Sequence, residues 1–204
     1  MVTSYLGTPG SGKSLHVAND ILNALAVGRL VITNFPVNTK GLRIHKKSRL
    51  VTLDNQSIKF SPDLIVCACD RYYEIYHVRK ALVVIDECQL LFDSRSWNAP
   101  GREHWNWFFS QHRKICGIDS NVIIITQNEK AIDKRIISQS EYFCLHRKLQ
   151  NGSNWEFVLS MFFCFNLFIY KKIWRPGKET VQVSFFRGKK KLFNLYDTFM
   201  IFQK

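Results

Sequence analysis

Acidic residues are scarce in this chain of 204: 16 Asp and Glu stand against 29 Lys and Arg, a formal net charge of +13. That imbalance favours an acidic partner, whether nucleic acid, an anionic membrane surface or an acidic protein; a merely basic soluble protein is the plainer reading. No Cys-x-x-Cys pair and no His/Cys cluster at metal spacing occurs among Cys67, Cys69, Cys88, Cys116, Cys144 and Cys164. A disulfide scaffold or zinc module is not indicated, and the cysteines read as reduced, buried thiols of a cytosolic protein. The N-terminus runs straight into an apolar stretch, so no signal peptide is expected. The apolar run over residues 157–170 is too short, and too broken by Ser160 and Asn166, for a good spanning helix. Internal repeats and low-complexity linkers are missing too. What is present is an ordinary globular balance, 46% hydrophobic and 22% charged, with a high count of 16 Phe. The length suits one large domain or one domain with an appendage.

The strongest local signal is Gly7-Thr8-Pro9-Gly10-Ser11-Gly12-Lys13-Ser14, a complete phosphate-binding loop followed by Leu15. Val2–Leu6 before it suits a buried strand, and residues 15–27 suit a helix stopped by Gly28. Small residues let the backbone curl its N–H groups inward onto phosphate oxygens, and the helix start adds free donors. Lys13 is expected to reach the β- and γ-phosphates of ATP, and Ser14 to ligate Mg²⁺.

A second strand is expected at Leu30–Thr33 and a short one near residues 50–53. Lys40, Arg43, Lys46, Lys47 and Arg49 form either a solvated loop face or part of a polyanion surface. Residues 64–68 read as a strand or a buried helix start, and residues 70–80 lean to helix.

Ala81–Ile85 is a continuous apolar run that ends in Asp86-Glu87. A buried parallel strand delivering two carboxylates at its C-terminal tip is the second half of a nucleotide site. Asp86 is expected in the Mg²⁺ shell, with Glu87 polarising water against the γ-phosphate. Residues 103–114 read as a helix with Trp105, Phe108 and Phe109 toward the core. Asn121–Thr126 reads as a further buried strand. Its tip offers Gln127, and second Thr126, as a sensor of the γ-phosphate or the attacking water. A helix around residues 132–137 and a last core strand over residues 141–146 follow.

From residue 151 the pattern changes. Trp155, Phe157, Leu159, Met161, Phe163, Phe165, Leu167 and Ile169 are apolar at every odd position, which predicts one long or two short strands. Val181, Val183 and Phe185 alternate likewise, and residues 192–196 suggest another strand. The expected architecture is α/β: a mostly parallel sheet flanked by helices as a P-loop NTPase core over residues 1–150. Residues 151–204 form a β-rich, basic extension. An arginine supplied by a neighbouring subunit is sought first at Arg113, with Arg95 and Arg135 as alternatives; the same arginines also suit surface ion pairs. A kinase on the same loop is disfavoured by the lack of an Arg-rich lid, and a GTPase by the lack of Asn-Lys-x-Asp. A nucleotide-binding scaffold without turnover stays open.

Taken in order, several segments resemble the zonula occludens toxin (Zot)-like N-terminal domain. They are the loop, residues 31–34, Val83-Val84-Ile85-Asp86-Glu87-Cys88-Gln89 with Leu91-Phe92 and Arg95, Ser110-Gln111-His112-Arg113-Lys114 with Gly117 and Asp119, and Ile124-Ile125-Thr126-Gln127-Asn128 with Ile132-Asp133. Leu195-Tyr196-Asp197-Thr198 resembles that family's closing segment. The family includes assembly proteins that extrude filamentous phage through the host inner membrane. The resemblance therefore implies an ATPase motor, a ring-like homo-oligomer with ATP at its interfaces, and coat-protein and single-stranded DNA partners. It also implies a place at the cytoplasmic face of the inner membrane. Members commonly continue into a transmembrane helix and periplasmic tail that these residues do not include.

Overall fold

The computed structural model describes residues 1–96, 98–163 and 166–195. Eight strands make one sheet: β1 (Val2–Leu6), β2 (Leu30–Thr33), β3 (Arg49–Thr52), β4 (Ala81–Ile85), β5 (Asn121–Thr126), β6 (Tyr142–Lys148), β7 (Leu167–Trp174) and β8 (Glu179–Arg187). Their order is β3-β2-β4-β5-β1-β6-β7-β8. The first six in that order are parallel, and β6, β7 and β8 are antiparallel. The helices are α1 (Lys13–Ala26), α2 (Asn55–Ile58), α3 (Asp63–Tyr76), α4 (Arg102–Cys116), α5 (Lys134–Ser138), α6 (Asn154–Phe162) and α7 (Lys190–Phe193).

Among the central strands β4 is apolar throughout and β2 and β5 nearly so, because both sheet faces are covered. Ile32, Val83, Ile85, Val122 and Ile124 point to one core with Ile65 and Tyr72 of α3 and Trp105, Phe108 and Phe109 of α4. Val31, Leu82, Val84, Ile123 and Ile125 point to the other, against Leu15, Val17, Ala18, Ile21 and Leu25 of α1. One strand, β5, lies between β1 and β4. Its tip therefore falls between the phosphate loop and the Asp86-Glu87 pair.

Three expectations give way. The stretch predicted as strand from residue 155 is instead α6, and β7 begins only at Leu167. The run is apolar at even positions as well, so its alternation is weak. A local cap decides it, for the Glu156 carboxylate reaches back to accept from the Ser153 N–H at 2.8 Å. Residues 192–196 do not supply a strand within the described chain, because Lys190–Phe193 is α7. Residues 64–68 resolve into α3. Cys69, Cys88, Cys116 and Cys144 are buried and free, whereas Cys67, expected to be buried, is exposed. Cys164, Phe165 and Tyr196-Asp197-Thr198 lie outside the described residues.

Candidate active site

The loop between β1 and α1 holds its shape through glycine. Gly7 sits at φ +151°, and a Cβ there would lie 2.5 Å from the His146 carbonyl oxygen. Gly12 sits at φ +95°, and a Cβ would lie 2.6 Å from the Phe168 ring. Both conformations favour glycine, and both approaches forbid a side chain. Phe168 stacks on Phe186 with centroids 5.4 Å apart. Residues of β6, β7 and β8 thus shape the loop from beneath.

The donors needed for a phosphate are in place. Lys13 Nζ donates to the carbonyls of Gly7 at 2.6 Å and Thr8 at 3.0 Å. Burial lowers the Lys13 pKa, and the nearby Asp86 and Glu87 carboxylates oppose that shift. Ser11 Oγ is buried with no hydrogen-bond partner, while Thr8, Pro9 and Gly10 are exposed. An orphaned hydroxyl beside an exposed, glycine-built curl and a buried ammonium fits a phosphate group. For Mg²⁺ the donors are hard oxygens, the Ser14 hydroxyl and the Asp86 carboxylate, which suits that ion.

The carboxylates are fixed from several sides. Asp86 is buried, and its N–H and C=O pair with the Asn34 side chain at 2.7 and 2.9 Å. Asn34 is held in turn by Asn55 at 2.8 Å. Asp86 Oδ1 accepts from the Glu87 N–H at 2.7 Å. Glu87 itself adopts φ 45° and ψ 45°, left-handed backbone that costs a non-glycine residue about 1–3 kcal/mol. Its carboxylate accepts from Gln89 Nε2 on one oxygen and from Gln127 Nε2 at 3.4 Å on the other. Thr126 Oγ1 donates to Gln89 Oε1 at 3.0 Å. Lys13, Asp86, Glu87, Thr126 and Gln127 therefore meet at one end of the sheet.

Arg113 does not join them. It lies where the strands begin, its Nη2 3.5 Å from Glu141 Oε2, and Glu141 directly precedes β6. That is about 15 Å of strand from the loop. Arg95 is exposed and pairs with Asp93, Nη2 to Oδ2 at 2.9 Å. Arg135 lies in the first turn of α5, where its N–H donates to the capping Asp133 Oδ1 at 2.9 Å.

Sequence reasoning assigned no role to Asn34 or Gln89, although both are amides one to two residues beyond a strand tip or beside the acidic pair. It also missed a buried cluster under the loop. His146 Nδ1 donates to the Cys144 carbonyl at 2.9 Å, leaving Nε2 to accept from His16 Nδ1 at 2.8 Å. His16 stacks between Tyr5 and Tyr170, with centroids 4.7 and 4.2 Å away. Tyr5 donates to Asp20 at 2.7 Å. Burial lowers the pKa of His16 to about 4 and of His146 to about 3, and raises that of Asp20 to about 6.

A glycine-built loop after the first strand, a Lys-Ser pair opening α1 and an Asp-Glu pair at the tip of a strand once removed define the class as a P-loop NTPase fold. The family is shown by the sequence. A family model described as Zonular occludens toxin (Zot) matches residues 1–200, and the chain belongs to that family. The Gene 1 protein of Enterobacteria phage f1 is 32% identical over 136 residues, 63% of this chain and 36% of that protein. The Gene 1 protein of Escherichia phage If1 is 31% identical over 156 residues, 70% of this chain and 40% of that protein. The chain thus spans between 36% and 40% of the length of these two relatives. Among solved structures, the N-terminal domain of zonular occludens toxin from Neisseria meningitidis superposes with a TM-score of 0.54 at 21% identity, covering 96% of this chain and 98% of that one. The genome packaging NTPase B204 from Sulfolobus turreted icosahedral virus 2, in complex with ATP-gammaS, gives 0.54 at 12%, covering 90% and 95%. A third structure, the ATPase domain of another protein, gives 0.59 at 9% identity, covering 95% and 83%. These likenesses bear on the fold.

Proposed function

We propose that this chain is the ATP-hydrolysing motor domain of a filamentous-phage assembly protein, acting at the cytoplasmic face of the host inner membrane. The carrying observation is Glu87, held at both oxygens beside Asp86 and Lys13. A carboxylate fixed by amides accepts a proton from a positioned water, whereas a scaffold that only binds nucleotide has no use for one. Lys13 and the loop amides bind the phosphates and offset their charge. Ser14 and Asp86 would hold Mg²⁺, which when bound neutralises charge developing on the phosphate oxygens. Gln127 orients Glu87 and reads the γ-phosphate. Residues 151–204 serve as an extension packed on the core of residues 1–150.

The sites work in a homo-oligomeric ring, each completed by an arginine of the next subunit. Arg113 stands at the opposite end of the strands from its own Lys13, so it serves only in trans. The work is extrusion of single-stranded phage DNA as coat protein is added around it.

The Glu87→Gln variant tests this reading. It should retain ATP binding, lose phosphate release by about a hundredfold or more, and fail to support phage release from infected cells. Normal release by that variant would overturn the motor in favour of a scaffold. Phosphate passed to an organic acceptor would overturn hydrolysis.

A further inference from the structure

Helix α6 leaves a broad apolar face uncovered. Trp155 is 83% exposed and Phe162 81%, and Phe157, Val158, Leu159 and Met161 are exposed between them. At about 100° per residue these six side chains cover an arc of about 200° around the axis, and the remaining face carries Glu156 and Ser160, of which Ser160 is buried. The one charged residue, Glu156, is tied to Arg147 by two hydrogen bonds of 2.9 and 2.5 Å. A broad apolar face opposite a polar strip turned to the protein suits a helix lying in a membrane interface. Nine residues make about 14 Å of helix. That is about half a bilayer's hydrocarbon thickness, and among the described residues no helix is long and apolar enough to cross a membrane.

The neighbouring charge fixes the kind of surface. The Arg187 guanidinium lies 5.9 Å from the ring of Phe163, directly after α6. The Gly188 N–H bonds the Asn166 carbonyl at 2.9 Å. Lys189, Lys190 and Lys191 follow, all exposed. A basic run beginning at the end of an aromatic helix complements anionic headgroups.

We propose that α6 is a membrane-surface anchor. Its side chains enter the headgroup–acyl boundary of an anionic leaflet, and Arg187, Lys189, Lys190 and Lys191 pair with lipid phosphates. The anchor deepens, and rests on, the reading that the motor works at a membrane. It turns the nucleotide end of the sheet toward the bilayer, because α6 joins β6 and β7 at the end where β1 delivers Lys13.

The test uses the whole chain with vesicles of phosphatidylcholine, alone or mixed with phosphatidylglycerol. The chain should sediment with the anionic vesicles, less so in high salt. The Trp155→Ser/Phe162→Ser double variant should bind about tenfold more weakly or worse, with ATP binding unchanged as the check on folding. Lys189→Glu/Lys190→Glu/Lys191→Glu should abolish the preference for anionic lipid. No vesicle binding, or equal binding by the double variant, overturns the anchor. So does loss, in that variant, of a lipid-free oligomer without any vesicle binding, which would make α6 a subunit contact. Turnover of the parent and of Glu87→Gln in lipid-free solution reports on the motor separately, so failure of either reading is seen alone.

Discussion

Gln89 holds Glu87. Its amide donates to one Glu87 carboxylate oxygen while its own carbonyl accepts from Thr126 at the tip of β5. The strand that separates the loop from the acidic pair is thereby linked to the carboxylate expected to do the chemistry. Gln89 also lines a cavity of about 590 Å³ with Leu90 and Arg95, open to a group arriving from outside.

Replacing Gln89 with Ala should therefore separate binding from turnover. ATP affinity should stay within about threefold, while turnover falls about 10- to 100-fold as Glu87 loses its orientation. Steady-state phosphate release beside equilibrium nucleotide binding measures both. A parallel loss of the two would assign Gln89 to phosphate binding instead.

Gly12→Ala should fail for two reasons that can be told apart. Left-handed backbone costs an alanine about 1–2 kcal/mol, and the new methyl meets Phe168. Adding Phe168→Ala removes the collision and leaves the backbone cost. The double variant should thus be less unstable than the two single losses added together, read from denaturant midpoints.

Arg102 and Asp133 form a buried ion pair at 3.2 Å, with side chains 4% and 3% exposed. Arg102 also donates to the Leu91 and Ser96 carbonyls, so it fixes the loop after Glu87. Arg102→Met should strand the Asp133 carboxylate and lower stability by about 3–5 kcal/mol. Urea unfolding checks it.

Acid should destabilise the chain through the paired histidines. Above the ordinary imidazole value of 6.5 both are neutral, folded or unfolded. Below it the unfolded chain takes protons that the folded chain refuses until about 4 at His16 and about 3 at His146, so stability is lost as pH falls. Asp20 acts in the opposite sense. Burial raises it to about 6, so the folded chain takes that proton first and regains stability down to the ordinary 3.8. Two groups against one leave a net loss. Asp20→Asn should steepen it, seen as a larger drop in urea midpoint between about pH 7 and about pH 4.5.

The legible parts of the fold were those where one requirement rules. Ala81–Ile85 must be apolar because both its faces are covered, and Asp86-Glu87 must follow because the site lies at its tip. Residues 155–163 answered to two patterns at once. There the deciding signal was Ser153 with Glu156 three residues on, a helix cap ahead of an apolar run. The site was legible as a set of residue types at set spacings. What escaped were contacts between distant segments, His146 with Gly7 and Phe168 with Gly12, for which one sequence carries no local mark.

Those contacts give the loop a schedule. Residues 7–14 leave the ribosome well before the rings that shape Gly12, which lie at positions 168 and 186. At about 5–20 residues per second, about 8 to 36 s separate the loop from its supports. Until then the curl is held only by contacts within the loop, such as Lys13 Nζ on the Gly7 and Thr8 carbonyls. Capture of a nucleotide is thus tied to synthesis of residues 168–186, and a molecule that stops short of them has a weaker hold on the ATP around it.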